Sequence, residues 1–391
     1  MNIAIFSDTY PPFINGVSTS CYNLRETLVK HGHNVIVVTP RFDDGVLEYK
    51  DGIVRMPGVE NKKLYGYRFP KMYDHKVMKI LKDFKIDLIH YQTDSMLGIF
   101  ARIVAKKLKV PLVYTYHTSY EDYTYYATHG FLDRLAKKTV RLYTKTIAKN
   151  CTEFITPSEK TKEFLRSTGC DIYINIVPTG IDFSLFDDDK VDIKRSEEFK
   201  KEHGIDKDTF VFLLLGRIAK EKSMDISLKG YAKFLKVHPE IKSKMIVVGG
   251  GPQRPELDLL VEQLNIKDYV DFIGPVKASE VPFYYHLADI YTSASLTETQ
   301  GLTFMEAMAS GDIVLARMDD NLSGTIIDGE TGFFFINEDN FVEKAYRILM
   351  LKKEEKEQMK KNSLRIVEKY SIEKFYENIM EVYYRALRKF F

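Results

Sequence analysis

Short apolar runs alternate with helical patterns along the first half of the chain. An apolar run over 3–6 is followed by a loop rich in proline and glycine, a helical pattern over 19–30 and a second apolar run over 35–38. The alternation continues with apolar runs over 87–91, 111–116 and 154–156 and helical patterns over 95–108 and 131–149. Apolar strands between helices are typical of a parallel sheet covered on both faces. We therefore predict an α/β domain with a doubly wound sheet.

A polar, acidic stretch over 182–203 interrupts this pattern and is typical of a linker with a short helix. Beyond it the alternation starts again, with apolar runs over 210–215, 245–248, 270–272, 290–292 and 313–316. A chain of 391 residues is long enough to form two cores. We predict an N-terminal domain over 1–190, a C-terminal domain over 191–370 and an amphipathic helix over 371–391.

Cysteine content, hydropathy and charge narrow the class of protein. Cys21, Cys151 and Cys170 are widely spaced, which argues against a disulfide framework and against a zinc site built on cysteine pairs. The first residues carry no signal-peptide pattern, and no stretch approaches about 18 uncharged apolar residues, so we expect a cytoplasmic protein that does not span a membrane.

Residues 1–180 carry a net charge of +8 and the rest −6. The basic half is expected to face an anionic membrane or nucleic acid, unless the imbalance is ordinary surface variation.

Two cations follow the strand predicted over 210–215. In the segment GRIAKEK, Arg217 and Lys222 lie at the carboxyl end of that strand. An arginine fork and a lysine point charge can together hold a diphosphate. By itself the pair is weak evidence, because most cations in loops are only solvated.

The segment 293–311 (SASLTETQGLTFMEAMASG) adds an anion site and two carboxylates. Gly301 lies where a loop turns into a helix, so the first two helical amides lack acceptors inside the helix and can bind phosphate. Glu298 precedes the helix and Glu306 lies one turn inside it. One carboxylate is expected to accept the ribose hydroxyls of a sugar nucleotide, and the other to orient the transferred sugar. The apolar neighbours of Glu306 argue against a merely solvated helix face.

In this order the motifs resemble glycosyltransferase family four, and the resemblance covers nearly the whole chain. Glu298 and Glu306 match its E-x7-E pattern, and GRIAKEK matches its diphosphate-binding segment. DTYPPFINGVS resembles its N-terminal glycine loop, VVGGGP its glycine loop after a strand, and YVDFIGPV its base-binding segment. The resemblance implies a set of donor-binding residues: Gly16, Arg217, Lys222, Gly249, Gly250, Val276, Glu298, Thr299, Gln300, Gly301, Leu302, Thr303 and Glu306.

The resemblance also implies a fold and a mechanism. The fold is GT-B, in which two Rossmann-like doubly wound domains face a cleft and the C-terminal helix returns to the N-terminal domain. The reaction is a retaining transfer from a nucleotide diphosphate sugar, in which the leaving diphosphate helps to deprotonate the acceptor. The expected catalytic residues are His117, Arg217, Lys222 and Glu298. UDP and glucose are the expected base and sugar, with galactose left open.

The segments TYHTSYEDYTYY and SLTETQGLT resemble the branch of the family that glucosylates diacylglycerol. Within it, His117 is expected to bond the donor sugar. Tyr120, Tyr123 and Tyr126 are expected to form an amphipathic wall for a lipid acceptor. A structural histidine and aromatic core packing are the alternatives. A soluble sugar, a polyprenyl lipid or phospholipid, and a cell-wall glycan remain open as other acceptors.

A cationic stripe lies on the long helix predicted over 131–149. Its members follow one another at helical spacing: Arg134, Lys138, Arg141, Lys145 and Lys149. Four apolar residues are expected on another face: Leu132, Leu135, Leu142 and Ile147. A basic amphipathic helix is typical of a surface that binds anionic lipids, and a solvated helix face is the alternative. We expect a monomer bound peripherally to the inner face of the cell membrane.

Two other classes of protein, an oxidoreductase and a nucleic-acid-binding protein, would account for fewer of these residues. An oxidoreductase with such domains should carry G-x-G-x-x-G after the first strand, where this chain has DTYPPFINGVS. A nucleic-acid-binding protein would use the cationic stripe but leave the carboxylates of the C-terminal half unexplained, so no nucleic-acid partner is expected. Asp187 and Asp189 form a D-x-D pattern, but they lie in the acidic linker far from the phosphate segments. We therefore expect no metal cofactor.

Overall fold

The computed structural model describes residues 1–13, 15–61, 67–117, 142–296, 298, 300–319, 322 and 324–391. The chain folds into two compact units. The first unit comprises Met1–Gly180 together with Ile372–Phe391, and the second comprises Ile181–Ser371.

The first unit is built on an eight-stranded sheet. Its strands are β1 (Asn2–Phe6), β2 (Asn34–Pro40), β3 (Glu48–Lys50), β4 (Ile53–Met56), β7 (Leu88–Tyr91), β8 (Leu112–Thr115), β9 (Glu153–Thr156) and β10 (Ile174–Ile176). They lie in the order β10-β9-β8-β7-β1-β2-β4-β3, and of these pairs only β3 with β4 is antiparallel. A separate antiparallel pair joins β5 (Gly58–Asn61) to β6 (Tyr67–Pro70). The central strands are buried along almost their whole length, because a parallel sheet is covered on both faces.

Helices with polar N-terminal caps cover this sheet. They are α1 (Gly16–Lys30), α2 (His75–Asp83), α3 (Met96–Leu108) and α4 (Glu159–Ser167), and residues 142–149 are also helical. The side chains of Asn15, Asp74 and Ser158 accept hydrogen bonds from first-turn amides of α1, α2 and α4. Such caps define where a helix begins, because the first amides have no acceptor inside the helix.

The second unit has a six-stranded sheet in which all neighbours are parallel. Its strands are β11 (Phe210–Leu215), β12 (Ser243–Val248), β13 (Val270–Gly274), β14 (Ile290–Ser293), β15 (Ile313–Arg317) and β16 (Gly332–Phe335). They lie in the order β13-β12-β11-β14-β15-β16. Its helices are α5 (Ile193–Glu202), α6 (Met224–Val237), α7 (Arg254–Gln263), α8 (Val281–Tyr285), α9 (Leu302–Ser310), α10 (Glu338–Leu349) and α11 (Lys353–Val367).

The last helix, α12 (Ile372–Phe390), lies in the first unit and packs against α1. Two of its cations pair with Glu153, a side chain that is only 1% exposed. Arg385 Nε lies 3.1 Å from Glu153 Oε1, and Lys389 Nζ lies 2.7 Å from the same oxygen. A buried carboxylate held by two cations ties the end of this helix to the sheet.

The N-terminal segment of the first unit ends at Gly180, whereas the sequence predicted a domain boundary at 190. The chain beyond that glycine already belongs to the second unit. Ile181 forms a β-bridge with Ser371, and the ring of Phe186 packs 5.9 Å from that of Tyr285. The acidic composition of this stretch is typical of a linker, but Ile181 and Phe186 are buried in a hydrophobic cluster of the second unit.

Every apolar run that the sequence predicted as a strand is a strand in the structure. The strands that were not predicted are β3, β4, β5, β6, β10 and β16. β3 lies at the edge of its sheet and exposes two of its three residues, and β4 beside it alternates partly buried with buried residues. β3 and β4 lack the continuous apolar run that marks a central parallel strand, so the sequence pattern does not reveal them, whereas β16 is a buried apolar run that was missed.

Candidate active site

The N-terminus of α9 forms an anion site built around one glycine. Gly301 precedes the helix with φ +76°, in the left-handed region. A Cβ at this position would lie 3.0 Å from Phe304 Cδ2 and 3.2 Å from Leu322 Cδ2. Glycine allows this turn and has no side chain to cap the helix. The amides of Leu302 and Thr303 therefore have no acceptor from the helix or from a cap, which is the arrangement predicted for phosphate.

Glu306 lies one turn into α9 beside two tyrosines. The hydroxyl of Tyr285 lies 3.0 Å from Glu306 Oε2 and 3.1 Å from the Thr303 carbonyl oxygen. Tyr291 donates to Thr303 Oγ1 at 2.8 Å. Burial raises the pKa of Glu306 to about 7, although the hydrogen bond from Tyr285 acts in the opposite direction. Its carboxyl group is therefore about half ionised near neutral pH.

Glu298 and Lys222 form an ion pair, although they lie 76 positions apart in the sequence. Lys222 Nζ lies 2.6 Å from Glu298 Oε1, and the two side chains are 27% and 13% exposed. Lys222 ends a short 3-10 turn after β11, and Glu298 lies between β14 and α9. Because β11 and β14 are parallel neighbours, the loops at their carboxyl ends meet. The structure thus brings a predicted phosphate ligand and a predicted donor-binding carboxylate together.

Arg217 also has an acidic partner. Its Nη2 lies 2.9 Å from Oε1 of Glu221, whose side chain is 13% exposed. Glu221 was not among the predicted site residues. Its spacing of four from Arg217 was visible in GRIAKEK, but the sequence does not show that the turn after β11 brings the two groups together.

Two loops that follow β11 and β12 are in backbone contact through glycines. Gly249 has φ +138°, and a Cβ there would lie 1.8 Å from the carbonyl oxygen of Gly216. Gly251 has φ +156°, and its Cβ would lie 2.2 Å from the carbonyl oxygen of Ile218. The Gly249 and Gly251 positions therefore exclude any side chain. The backbone contacts at Gly216 and Gly251 were not predicted from the sequence. Only a role of Gly249 and Gly250 in donor binding was predicted.

We expect Gly249→Ala to destabilise the second unit by about 2 kcal/mol or more. A strained backbone conformation costs about 1–3 kcal/mol, and the methyl group would also overlap the Gly216 oxygen. Gly250→Ala is the matched control, because its Cβ would lie 3.4 Å from Pro275 Cδ, an ordinary contact. Thermal unfolding followed by circular dichroism measures both effects. A Gly249→Ala variant that melts with the wild-type protein would contradict the expected contact.

The other residues of the second unit that were predicted to bind the donor follow β13 and β14. Val276 follows β13 and is partly buried against the core of this unit. Gln300 Nε2 lies 3.8 Å from Met305 Sδ, on the loop that leads into α9. Thr299 lies outside the described residues. The roles of all three in donor binding stay predictions.

In the first unit, Gly16 and His117 lie beyond the ends of strands. Gly16 is the first residue of α1, whose cap Asn15 accepts from the amide of Ser18. His117 follows β8, and its Nε2 lies 2.6 Å from Gln92 Oε1. Burial lowers the pKa of His117 to about 4, so its ring is neutral near pH 7. Gln92 was not among the predicted site residues, although it directly follows β7, where residues of a binding site are expected.

Comparisons with known proteins bear on these residues. The sequence profile of Glycosyltransferase Family 4 matches residues 14–185, and that of Glycosyl transferases group 1 matches residues 195–365. The alpha-monoglucosyldiacylglycerol synthase of Acholeplasma laidlawii is 36% identical over 356 residues, which cover 89% of this chain and 88% of that protein. The chain belongs to glycosyltransferase family four.

Two further comparisons agree with this assignment. The alpha-monoglucosyldiacylglycerol synthase of Streptococcus pneumoniae is 35% identical over 339 residues, covering 86% of this chain and 76% of that protein. The solved structure of sucrose-phosphate synthase from Thermosynechococcus elongatus superposes with a TM-score of 0.76 at 20% identity, covering 98% of both chains. The family-four glycosyltransferase thus has the predicted GT-B fold, and the prediction that it is a hexosyltransferase is confirmed.

Several residues predicted for the acceptor and membrane surfaces of this glycosyltransferase lie outside the described residues: Tyr120, Tyr123, Tyr126, Arg134, Lys138 and Arg141. Of the stripe, the structure describes Lys145 and Lys149. Lys149 is exposed, and Lys145 is partly buried beside Gly169. Leu142 is 67% exposed and lies seven residues before Lys149, on the same helix face, whereas Ile147 is 2% exposed. Leu142 therefore lies on the same face as Lys149, and not on another face than the cations as expected.

The described ranges contain neither a membrane-spanning helix nor a cluster of metal-ligating side chains. None of their helices combines the length and apolar character needed to cross a bilayer. Nor do three histidine, cysteine or acidic side chains among them group as metal ligands. Asp187 and Asp189 are both exposed.

Proposed function

We propose that this family-four glycosyltransferase transfers glucose from UDP-glucose to 1,2-diacylglycerol and forms an α-glucosyl lipid. The observation that carries the proposal is the similarity to two alpha-monoglucosyldiacylglycerol synthases over most of the chain. The cations, the helix N-terminus and the carboxylates of the second unit supply groups suited to a nucleotide diphosphate sugar.

The diphosphate would bind to the N-terminus of α9 and to two cations. Arg217 Nη2 lies 2.9 Å from Glu221 Oε1, and Lys222 Nζ lies 2.6 Å from Glu298 Oε1. A guanidinium has five N–H groups and an ammonium has three, so each can add a phosphate oxygen without losing its carboxylate. These ion pairs keep both cations at the end of β11, where little reorganisation is needed when the donor binds.

In the proposed reaction the acceptor hydroxyl oxygen attacks the anomeric carbon on the face from which the diphosphate leaves. The bond from that carbon to the diphosphate oxygen breaks, and UDP departs with the proton of the acceptor hydroxyl. Negative charge develops on the leaving phosphate, and Arg217, Lys222 and the α9 amides stabilise it. The configuration at the anomeric carbon is retained, and no side chain forms a covalent intermediate.

Glu306 is expected to accept the ribose hydroxyls of the donor as a carboxylate. Its pKa of about 7 means that protonation competes with donor binding below neutral pH. Hydroxyl donors favour the ionised form, so UDP affinity should rise as pH increases through about 7. Glu306→Gln should weaken UDP binding by about 1–3 kcal/mol at about pH 8 and remove this contribution to the pH dependence.

Calorimetry at about pH 6 and about pH 8 measures both effects. Glu256→Gln is a suitable control, because Glu256 is an exposed glutamate on α7. Equal UDP affinity in the wild-type protein and Glu306→Gln would show that this carboxylate does not bind the ribose.

We also propose that the reaction needs no metal cofactor. Two side-chain cations and the amides at the N-terminus of α9 would offset the charge of the diphosphate in place of a divalent ion. Transfer activity should therefore be unchanged, within about a factor of two, after exhaustive treatment with EDTA and removal of the chelator. Loss of activity that magnesium or manganese restores would refute metal independence.

The acceptor is held in a bilayer and the donor in water, so the enzyme is proposed to act as a peripheral protein at the inner face of the membrane. The cationic stripe would attract anionic lipids, and the exposed Leu142, two helical turns before Lys149 on the same face, offers an apolar side chain for shallow insertion. Tyr120, Tyr123 and Tyr126 would line the path of the diacylglycerol.

A transfer assay tests the function directly. The purified protein is incubated with radiolabelled UDP-glucose or UDP-galactose and vesicles of phosphatidylglycerol that contain diacylglycerol. Label from UDP-glucose in the lipid phase, released by an α-glucosidase, is the expected result. Label that appears only with UDP-galactose would show that UDP-galactose, and not UDP-glucose, is the donor. Transfer only to a soluble sugar or to another lipid would replace diacylglycerol as the acceptor.

A further inference from the structure

A buried amide holds the ring of His117. The Nε2 atom of this histidine lies 2.6 Å from Oε1 of Gln92, a side chain that is 3% exposed. Gln92 follows β7 and His117 follows β8, and these strands are parallel neighbours. The contact therefore joins the residues just beyond two adjacent strand ends, where α/β sheets bind their ligands.

The chemistry of this contact selects one form of the histidine. An amide oxygen can only accept, so Nε2 of His117 carries the proton and donates. In a neutral ring the other nitrogen, Nδ1, then holds a lone pair and can only accept. Burial keeps the pKa of His117 near about 4, so the ring is neutral at physiological pH. Within the described residues, Nδ1 forms no hydrogen bond.

His90 lines the same small cavity as Gln92 and His117. It is 1% exposed, and both of its ring nitrogens are bonded at 2.7 Å, Nδ1 to Tyr383 of α12 and Nε2 to Thr115 of β8. Burial lowers the pKa of His90 to about 3, with a smaller contribution from His117. Both imidazole rings are therefore neutral near pH 7.

No other titratable group from the described elements faces His117. This small cavity of about 10 Å³, at the lower limit for holding one water molecule, lies beside the two rings. Apart from the histidines and Gln92, the side chains that line it are uncharged: Ser20 and Leu24 from α1, Thr115, Ile155, Val177 and Thr179 from the strands and loops, and Phe375 and Ile379 from α12. The state of the His117 ring is therefore determined by its burial and by Gln92.

We propose that Gln92 is a positioning residue that holds His117 as the Nε2–H tautomer, so that Nδ1 accepts a hydrogen bond from a hydroxyl of the transferred sugar. The role of His117 towards the sugar rests on the proposed function. A site that holds an acceptor ready for a hydroxyl group discriminates against a sugar that lacks it, because the buried nitrogen is then left unpaired. Gln92 thus contributes to sugar specificity without touching the sugar.

Two substitutions separate this role from a structural one. Gln92→Leu removes the acceptor for Nε2, and transfer should fall by about 10-fold or more at every pH. Gln92→Glu keeps an oxygen acceptor of the same shape but adds a negative charge, which stabilises the imidazolium and raises the pKa of His117 by about 1–3 pH units. When Nδ1 is protonated it can no longer accept, so activity is lost on the acid side.

The expected signature is a pH profile. At saturating donor, Gln92→Glu should retain activity within about 3-fold of wild type at about pH 8.5 and lose about 10-fold relative to wild type at about pH 5.5. Recovery of activity in Gln92→Glu over Gln92→Leu at high pH shows that the acceptor oxygen is what matters. A Gln92→Glu profile parallel to that of wild type would overturn the proposal.

A second measurement does not depend on the reaction. Nitrogen–proton correlation spectra of the imidazole rings distinguish the tautomers, and the His117→Gln variant assigns the signal. Wild-type protein should show His117 as the Nε2–H form, and Gln92→Leu should show a mixture. An Nδ1–H form in wild type would overturn the proposal. If UDP-glucose and diacylglycerol are not substrates, the assay of wild-type protein fails by itself, while the spectra still test Gln92.

Discussion

We expect Lys222→Ala to lower the turnover number by a factor of about 10²–10³, the loss typical when a group that stabilises developing negative charge is removed. Lys222 ends the turn after β11, and its ammonium is held 2.6 Å from Glu298. In the proposed reaction the Lys222 ammonium group interacts with the diphosphate as its bond to the sugar breaks. Because charge on the phosphate increases during that step, the loss should fall mainly on turnover and less on donor affinity.

Steady-state kinetics and calorimetry with UDP measure the two quantities separately. Lys220→Ala is the matched control, since Lys220 is an exposed cation on the same turn and should tolerate the change. Thermal unfolding checks that loss of the ion pair with Glu298 has not altered the fold. If UDP affinity falls as much as turnover does, Lys222 is an anchor for the ground state and not a stabiliser of the leaving group.

We expect the replacement of Lys138, Arg141, Lys145 and Lys149 by glutamine to reduce binding to anionic vesicles by about 10³-fold. Each cation near a charged leaflet contributes about 1 kcal/mol, so four contribute about 4 kcal/mol. Binding of UDP should be unchanged, because the predicted phosphate ligands lie in the second unit. Sedimentation with phosphatidylglycerol vesicles measures the loss.

A charge-matched variant controls for overall electrostatics. Four exposed lysines of the second unit can be replaced by glutamine: Lys194, Lys201, Lys207 and Lys236. This variant has the same net charge as the stripe variant and should keep most of its vesicle binding. Raising the salt concentration from about 0.1 M to about 1 M shortens the Debye length from about 10 Å to about 3 Å and should release wild-type protein. Equal loss in both variants would show that net charge, and not the stripe, drives association.

Sequence patterns by themselves determined the central strands of the two sheets. The central parallel strands are buried on both faces, so each is a continuous apolar run that can be recognised without knowledge of its neighbours. The anion site before α9 was also predictable, because a glycine at the start of a helix and the unsatisfied first amides are local features. Glu306 was predictable for a similar reason, as a carboxylate among apolar neighbours in its own helix.

Only the tertiary structure decided which distant groups meet. Lys222 reaches Glu298 because β11 and β14 are adjacent in the sheet, although β12 and β13 separate them in the chain. Gly249 must be glycine because the backbone of another loop occupies the place of a side chain. Gln92 holds His117 because two strands end side by side. Each contact depends on strand order and loop approach, which are set by the packing of whole elements and leave no mark in local composition.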